Sequence, residues 1–233
     1  MQSLKRLSPI PDLSGGWCNA NLWVSSTMEA VSFVTPSLER FFIRTVAEVM
    51  AAADGGGKAV AGALRPQVQA FVREESRHSI AHQRFNRALL GYLGEAPPAL
   101  ALIDRLLSAA RRRLSVAARL RLVEALEHTA EWLSTRYLQR EPAWVFQCAY
   151  ARRLFAQHAR EEIGHRAVIH ALQPGASGPG PAAKAAVFGL VWLAIVLAGG
   201  TYLLLSVPWI LRRKRRLGAA RTRIHSQEPQ EKP

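Results

Sequence analysis

Residues 74–82 read EESRHSIAH, and residues 158–165 read HAREEIGH. Each stretch holds a glutamate followed three positions later by a histidine: Glu75 with His78, and Glu162 with His165. Positions i and i+3 or i+4 share one face of an α-helix. Glu75, His78 and His82 therefore form one stripe over two turns. His158, Glu162 and His165 form another, with Glu161 at its edge. A third segment, VEALEHTAEWL (123–133), carries Glu124, Glu127, His128 and Glu131, and SLERFFI (37–43) carries one acid, Glu39, in an apolar setting. Five of the seven histidines in the chain fall in the three stripes.

Taken singly, each stripe could be a solvated helix face with stabilising pairs. Their order and spacing argue otherwise. A dinuclear carboxylate site in a four-helix bundle takes one glutamate from each of two helices and Glu-x-x-His from each of the other two. Here the order is Glu39, Glu75/His78, Glu127, Glu162/His165. The first pair of acids is 36 positions apart and the second 35, so two helical hairpins of nearly equal reach would each deliver one Glu and one Glu-x-x-His. Carboxylates can bridge two cations and neutralise them, and neutral imidazoles add one nitrogen each. Four buried carboxylates without a cation would repel one another and lose their hydration. His158, one turn before Glu162, is a seventh candidate ligand. His82, His128, Glu124, Glu161 and Asn86 are candidates to stand behind the ligands and orient them.

Hydrophobic periodicity predicts helices over about 26–53, 66–93, 98–113, 115–138 and 142–172, with Pro36 and Pro66 as candidate starts or kinks. Asp54–Gly57, Gly94–Pro98 and Glu141–Pro142 break them, and no run alternates like a strand. The expected fold is all-α: a ferritin-like four-helix bundle with one long crossover, holding the short helix at 98–113. Residues 1–27 read as an extension, 28–173 as the bundle and 174–184 as a Pro/Gly linker. Residues 185–211 read as a membrane segment and 212–233 as a basic tail. The membrane segment holds no charge over 27 residues, contains Trp192, Tyr202 and Trp209, and is followed at once by RRKRR. On this division, a chain cut after Gly180 should be soluble and keep its metal.

The 233 residues suffice for one domain with a core. The net charge of +14 is concentrated in the tail and in an arginine cluster at 111–121, without a nucleic-acid-binding signature. A membrane surface suits it better than a nucleic acid. The N-terminus has no apolar run like that of a secretory signal. Cys18 and Cys148 fit no metal or redox spacing and read as free thiols. The expected location is the cytoplasmic face of the inner membrane. The positive-inside rule puts RRKRR on the same side as a bundle without a secretory signal, which one straight span cannot satisfy; either Gly199–Gly200 hinges a shallow re-entrant hairpin or the C-terminus lies outside.

The strings ESRHSIAHQRFN (75–86), LEHTAEWL (126–133) and HAREEIGHRAV (158–168), after Glu39 with Phe41 and Phe42, resemble the bacterial predicted metal-dependent hydrolases. The resemblance covers about residues 28–170 and implies a helical metalloprotein, a hydrolase by name. It departs from the family pattern at Gln157, where tryptophan is common, and at Glu74, where glutamine is common. The spacing His158-x-x-x-Glu162-x-x-His165 is also similar to that of di-iron arylamine oxygenases.

Three functions are open to these residues. The first is O2-dependent oxidation of a small apolar substrate by two divalent ions, iron before manganese or zinc, with an electron donor as partner. The second is metal-assisted hydrolysis of an ester or amide. The third is a metal-binding membrane protein without catalysis. A second copy of the chain is a further candidate partner.

Overall fold

The computed structural model describes residues 13, 17, 22–55, 59–140, 146–173 and 181–227. Six helices precede a long apolar one: α1 (Leu22–Gly55), α2 (Ala59–Leu93), α3 (Leu100–Arg113), α4 (Val116–Arg140), α5 (Ala149–Glu161), α6 (His165–Ala171) and α7 (Pro181–Gln227). No strand forms among the described residues. The expected restart at Glu141–Pro142, positions 174–180 of the linker expected at 174–184 and most of the N-terminal extension lie outside them; residues 181–184 of that linker are instead the first turn of α7.

The bundle is a ring of contacts. α1 packs on α2 and α4, while α5 and α6 continue one another and pack on both α2 and α4. The apolar faces gather in two clusters. Phe33, Phe85, Leu89 and Leu154 belong to one. Phe41, Phe71, Val123 and Ile169 belong to the other. In each helix the acids and histidines singled out above fall between residues of these two clusters, so a polar layer is enclosed between two greasy ones.

Three helices differ from expectation. α1 begins earlier and runs straight through Pro36. α2 starts at Ala59 and contains Pro66, because an Ala-rich first two turns outweigh the loss of one backbone donor. The predicted helix over 142–172 is two helices. α5 ends at Glu161, and Gly164 takes φ +104° before α6 begins. That value belongs to glycine, which has no Cβ to clash.

α7 is continuous for 47 residues, through the apolar run and into the basic one. It docks on the bundle. The Tyr202 hydroxyl donates to the Ala30 carbonyl at 2.7 Å, and Tyr202, Val207, Ile210 and Leu211 are buried. The residues of RRKRR do not all hang free. Arg213 Nε donates to the Leu93 carbonyl at 2.7 Å, and Lys214 Nζ lies 2.7 Å from the buried Glu29 carboxylate, which also accepts from Trp17 Nε1 at 2.6 Å.

Candidate metal centre

α1 supplies Glu39, α2 supplies Glu75 and His78, and α4 supplies Glu127. His158 comes from α5, Glu162 from the turn after it, and His165 from the first position of α6. The structure brings all seven together. Glu39, His78 and His158 present donor atoms within 4.8 Å of one another, and so do Glu75, Glu127, Glu162 and His165. Six of the seven are buried, and His158 is partly so.

Glu162 reaches both groups. Its Oε1 lies 2.7 Å from His158 Nε2 and 3.8 Å from His78 Nδ1, and its Oε2 lies 3.8 Å from His165 Nδ1. Glu75 Oε1 sits 3.0 Å from His165 Nδ1 and 3.6 Å from His78 Nδ1. Both Glu-x-x-His imidazoles thus turn Nδ1 inward, and their outer nitrogens meet carboxylates from across the bundle. His78 Nε2 is 2.7 Å from Glu161 Oε2, and His165 Nε2 is 3.1 Å from Glu74 Oε2. The doubled glutamate of each motif now has a reason. The second acid faces the centre, and the first supports the other helix's histidine. An N–H donated outward keeps the inner nitrogen deprotonated and aimed.

His158 is oriented differently. Pro36 has no N–H, so within α1 the Ser32 carbonyl four residues earlier lacks its usual donor. Asn86 Nδ2 supplies one at 2.8 Å. That orients the Asn86 amide, whose Oδ1 accepts from the Ser32 hydroxyl at 2.7 Å. With its proton committed, Ser32 Oγ can only accept from His82 Nδ1, 2.8 Å away. His82 Nε2 is then an acceptor for His158 Nδ1–H at 2.8 Å. The lone pair of His158 Nε2 is left facing the centre. Burial, then the nearby His158 and His78, hold the His82 pKa well below its ordinary value, so a neutral ring suits this chain of bonds.

The other expected supports lie elsewhere. Glu124 pairs with His170 at 2.6 Å and accepts from Gln173, away from the centre. His128 sits edge-on to Trp192 of α7. Ser32, Glu74 and Gln157 were not singled out as supports by sequence reasoning. Gln157 donates to Glu161 Oε1 at 2.9 Å, so both departures from the family pattern act behind a ligand. The repeated EE doublet was the available signal for Glu74. Ser32, two turns before Glu39 on α1, was marked only by being a polar residue at that spacing.

The electrostatics fit a cation. Burial first, then the neighbouring carboxylates, push Glu39 and Glu127 well above the usual carboxylate range. Burial also opposes charge on Glu75, yet His165 and His78 beside it hold its pKa at about 2. His78 rises to about 10, where Glu161 and Glu75 overcome its burial. Both oxygens of Glu39, Glu75 and Glu127, Oε2 of Glu162, and Nδ1 of His78 and His165 have no hydrogen-bond partner of good geometry. Buried oxygens and nitrogens left bare cost about 1–3 kcal/mol each unless an ion completes them.

A cavity of about 350 Å³ opens onto this centre, between α1, α4 and α5. Its walls are apolar, among them Val31, Val34, Leu38, Leu126 and Phe155, and Glu39, Glu75, His158 and Glu162 reach it from below.

A family model described as predicted metal-dependent hydrolase matches residues 7–228. The chain belongs to that family. The matched stretch runs through α7. No curated protein and no solved structure matches the chain significantly.

Proposed function

We propose that this member of the family is a dinuclear metalloenzyme of ferritin-like architecture that oxidises a small apolar substrate with O2 at the cytoplasmic face of a membrane. The observation that carries the reading is seven Glu and His donors, in two adjoining groups, at the base of an apolar cavity. Four carboxylates balance two divalent cations, and the mixed oxygen and nitrogen donor set suits iron, with manganese or zinc as competitors. Two such ions, when iron, would supply the capacity to reduce O2. One oxygen atom goes to the product and the other to water, with two electrons from an external donor protein and two protons.

The chain's own residues do the rest. Glu74 and Glu161 hold the imidazoles of His165 and His78 in one tautomer. Asn86, Ser32 and His82 do the same for His158. Glu162, whose two oxygens face His158 and His165, would be able to hold an ion in either group. Val34, Leu38 and Phe155 exclude water and grip an apolar chain. No lysine or arginine lines the cavity among the described residues.

Hydrolysis is the second reading, favoured by the family's description. The same ligands could hold two ions that lower the pKa of a water molecule and polarise an ester. Metal analysis with absorption and Mössbauer spectra separates the two. Two coupled irons that change with O2 are expected. Two zinc or manganese ions without redox change would turn the reading to hydrolysis. Glu75→Ala combined with His165→Ala should abolish stoichiometric metal, and retention of two ions by that variant would sink the site.

A further inference from the structure

We infer that α7 lies in the plane of the membrane instead of crossing it, docked along the bundle with its unpartnered apolar face set into one leaflet of an anionic bilayer. The inference rests on the proposed function only in giving the apolar cavity an apolar occupant.

α7 is long and apolar enough to cross, with mean hydropathy 2.2 in the most apolar 18-residue window of Gly189–Ala219. Its contacts argue against crossing. Trp192 meets His128 of α4 at 6.0 Å between ring centroids. Ten residues on, Tyr202 bonds to Ala30 of α1. Further on, Arg213 is fixed to Leu93 of α2 and Lys214 to Glu29 of α1. From Trp192 to Lys214 the helix covers about 33 Å at 1.5 Å per residue, the full thickness of a hydrocarbon core. Were that stretch a span, α1, α2 and α4 would enter the lipid with it. They would bring their own charged side chains, among them the exposed Arg136 of α4. Charged side chains at that depth are strongly disfavoured.

The outward face of α7 has no partner among the described residues. Leu190 is 68% exposed, Leu197 61% and Leu204 76%, and Leu193, Val196 and Leu205 are more than half exposed. These positions recur at helical spacing, with no charge between them. Leaving such a stripe in water forfeits burial of large apolar side chains. What borders it identifies the occupant. Arg212, Arg215 and Arg216 are exposed at one end. Trp132, 53% exposed on the neighbouring α4, carries the Arg136 guanidinium 5.4 Å above its ring. Tryptophan and arginine at the margin of an apolar face are the residues of a lipid headgroup zone. The net charge of +14 favours an anionic surface and opposes pairing with a second copy.

This placement removes the conflict in topology, because bundle and RRKRR sit on one side without a span. It also sets the cavity beside the lipid. α7 touches α1 and α4, two of the helices that wall the cavity, and Val31 and Leu133 line the cavity while being exposed at its mouth. A substrate dissolved in the leaflet could then enter without passing through water.

The test places single cysteines at the exposed Ala186 and Ala219 in a full-length C18S/C148S background. Spheroplasts of a bacterial host are treated with a membrane-impermeant maleimide before and after lysis. Neither cysteine should label before lysis, and both should label after it. Labelling of one end alone from outside means a crossing helix and overturns the proposal. In a second arm, Leu193→Glu with Leu197→Glu, both exposed, should leave the fold intact and cut flotation with phosphatidylglycerol vesicles at least about tenfold. Unchanged flotation, or a wild-type chain that is dimeric in solution and ignores vesicles, overturns it too. Metal content read on the same samples reports on the centre separately: its loss would count against the proposed enzyme, not against the membrane placement.

Discussion

At the scale of the residue, the centre is built from reciprocal pairs. Glu74 supports His165 and Glu161 supports His78, so each motif holds the other's imidazole. Glu161→Gln or Glu74→Gln keeps the shape, and both side chains are partly exposed, so the fold should survive. The amide offers a weaker acceptor or, turned over, a donor that clashes with N–H. Metal affinity should fall about 10–100-fold, measured by chelator competition, with an unchanged urea midpoint. A fall in stability with metal affinity intact would instead make these residues scaffold. The EE doublets stand in the sequence, but only the fold shows that each first glutamate serves the opposite helix. Ser32 and Asn86 were harder to read. Their partnership depends on a Ser32 carbonyl that Pro36 leaves free, far along the chain from His158, the histidine it ultimately orients.

At the scale of the element, the turn at Glu162–Gly164 breaks what the helical spacing suggested was continuous. Glu162 and His165 still meet, because a tight turn keeps them as close as one helical turn would; the His165 N–H donates to the Glu162 carbonyl at 3.3 Å. Gly164 at φ +104° makes that turn possible, and a Cβ there would find open space but a strained backbone. Gly164→Ala should cost about 1–2 kcal/mol by urea unfolding. Metal binding should weaken further if the backbone relaxes toward a continuous helix, because His165 would move. A variant as stable as wild type would show that the turn is not held as described. Five helical segments and the apolar run were readable from periodicity, though the last of the five is two helices and the helix of the apolar run continues through the basic one. The break was not, since the only local mark was one glycine inside a good helical pattern.

At the scale of the whole molecule, α7 belongs to the bundle. Tyr202, Ile210 and Leu211 share one apolar cluster with Phe33, Leu89 and Leu93. A chain ending at Gly180, expected from sequence to be soluble and metal-loaded, would expose those partners and leave the Glu29 carboxylate buried without Lys214. Removing one partner of a buried pair alone costs about 3–5 kcal/mol. The truncated chain should therefore lose cooperative unfolding or aggregate, observed by calorimetry and light scattering. If it folds and binds metal stoichiometrically, the docking of α7 is dispensable.

The helices, their apolar faces and the seven-donor pattern followed from the sequence alone. Periodicity and i, i+3 spacing are local, and a repeated Glu-x-x-His states its chemistry wherever the helices end up. Tertiary structure alone decided which carboxylate backs which histidine, that the last motif bends at Gly164, and that α7 lies along the bundle. Each of these depends on partners far apart in the chain. A run of apolar residues reads the same whether protein or lipid will cover it, and only the neighbours at Ala30, Leu93 and His128 distinguish the two.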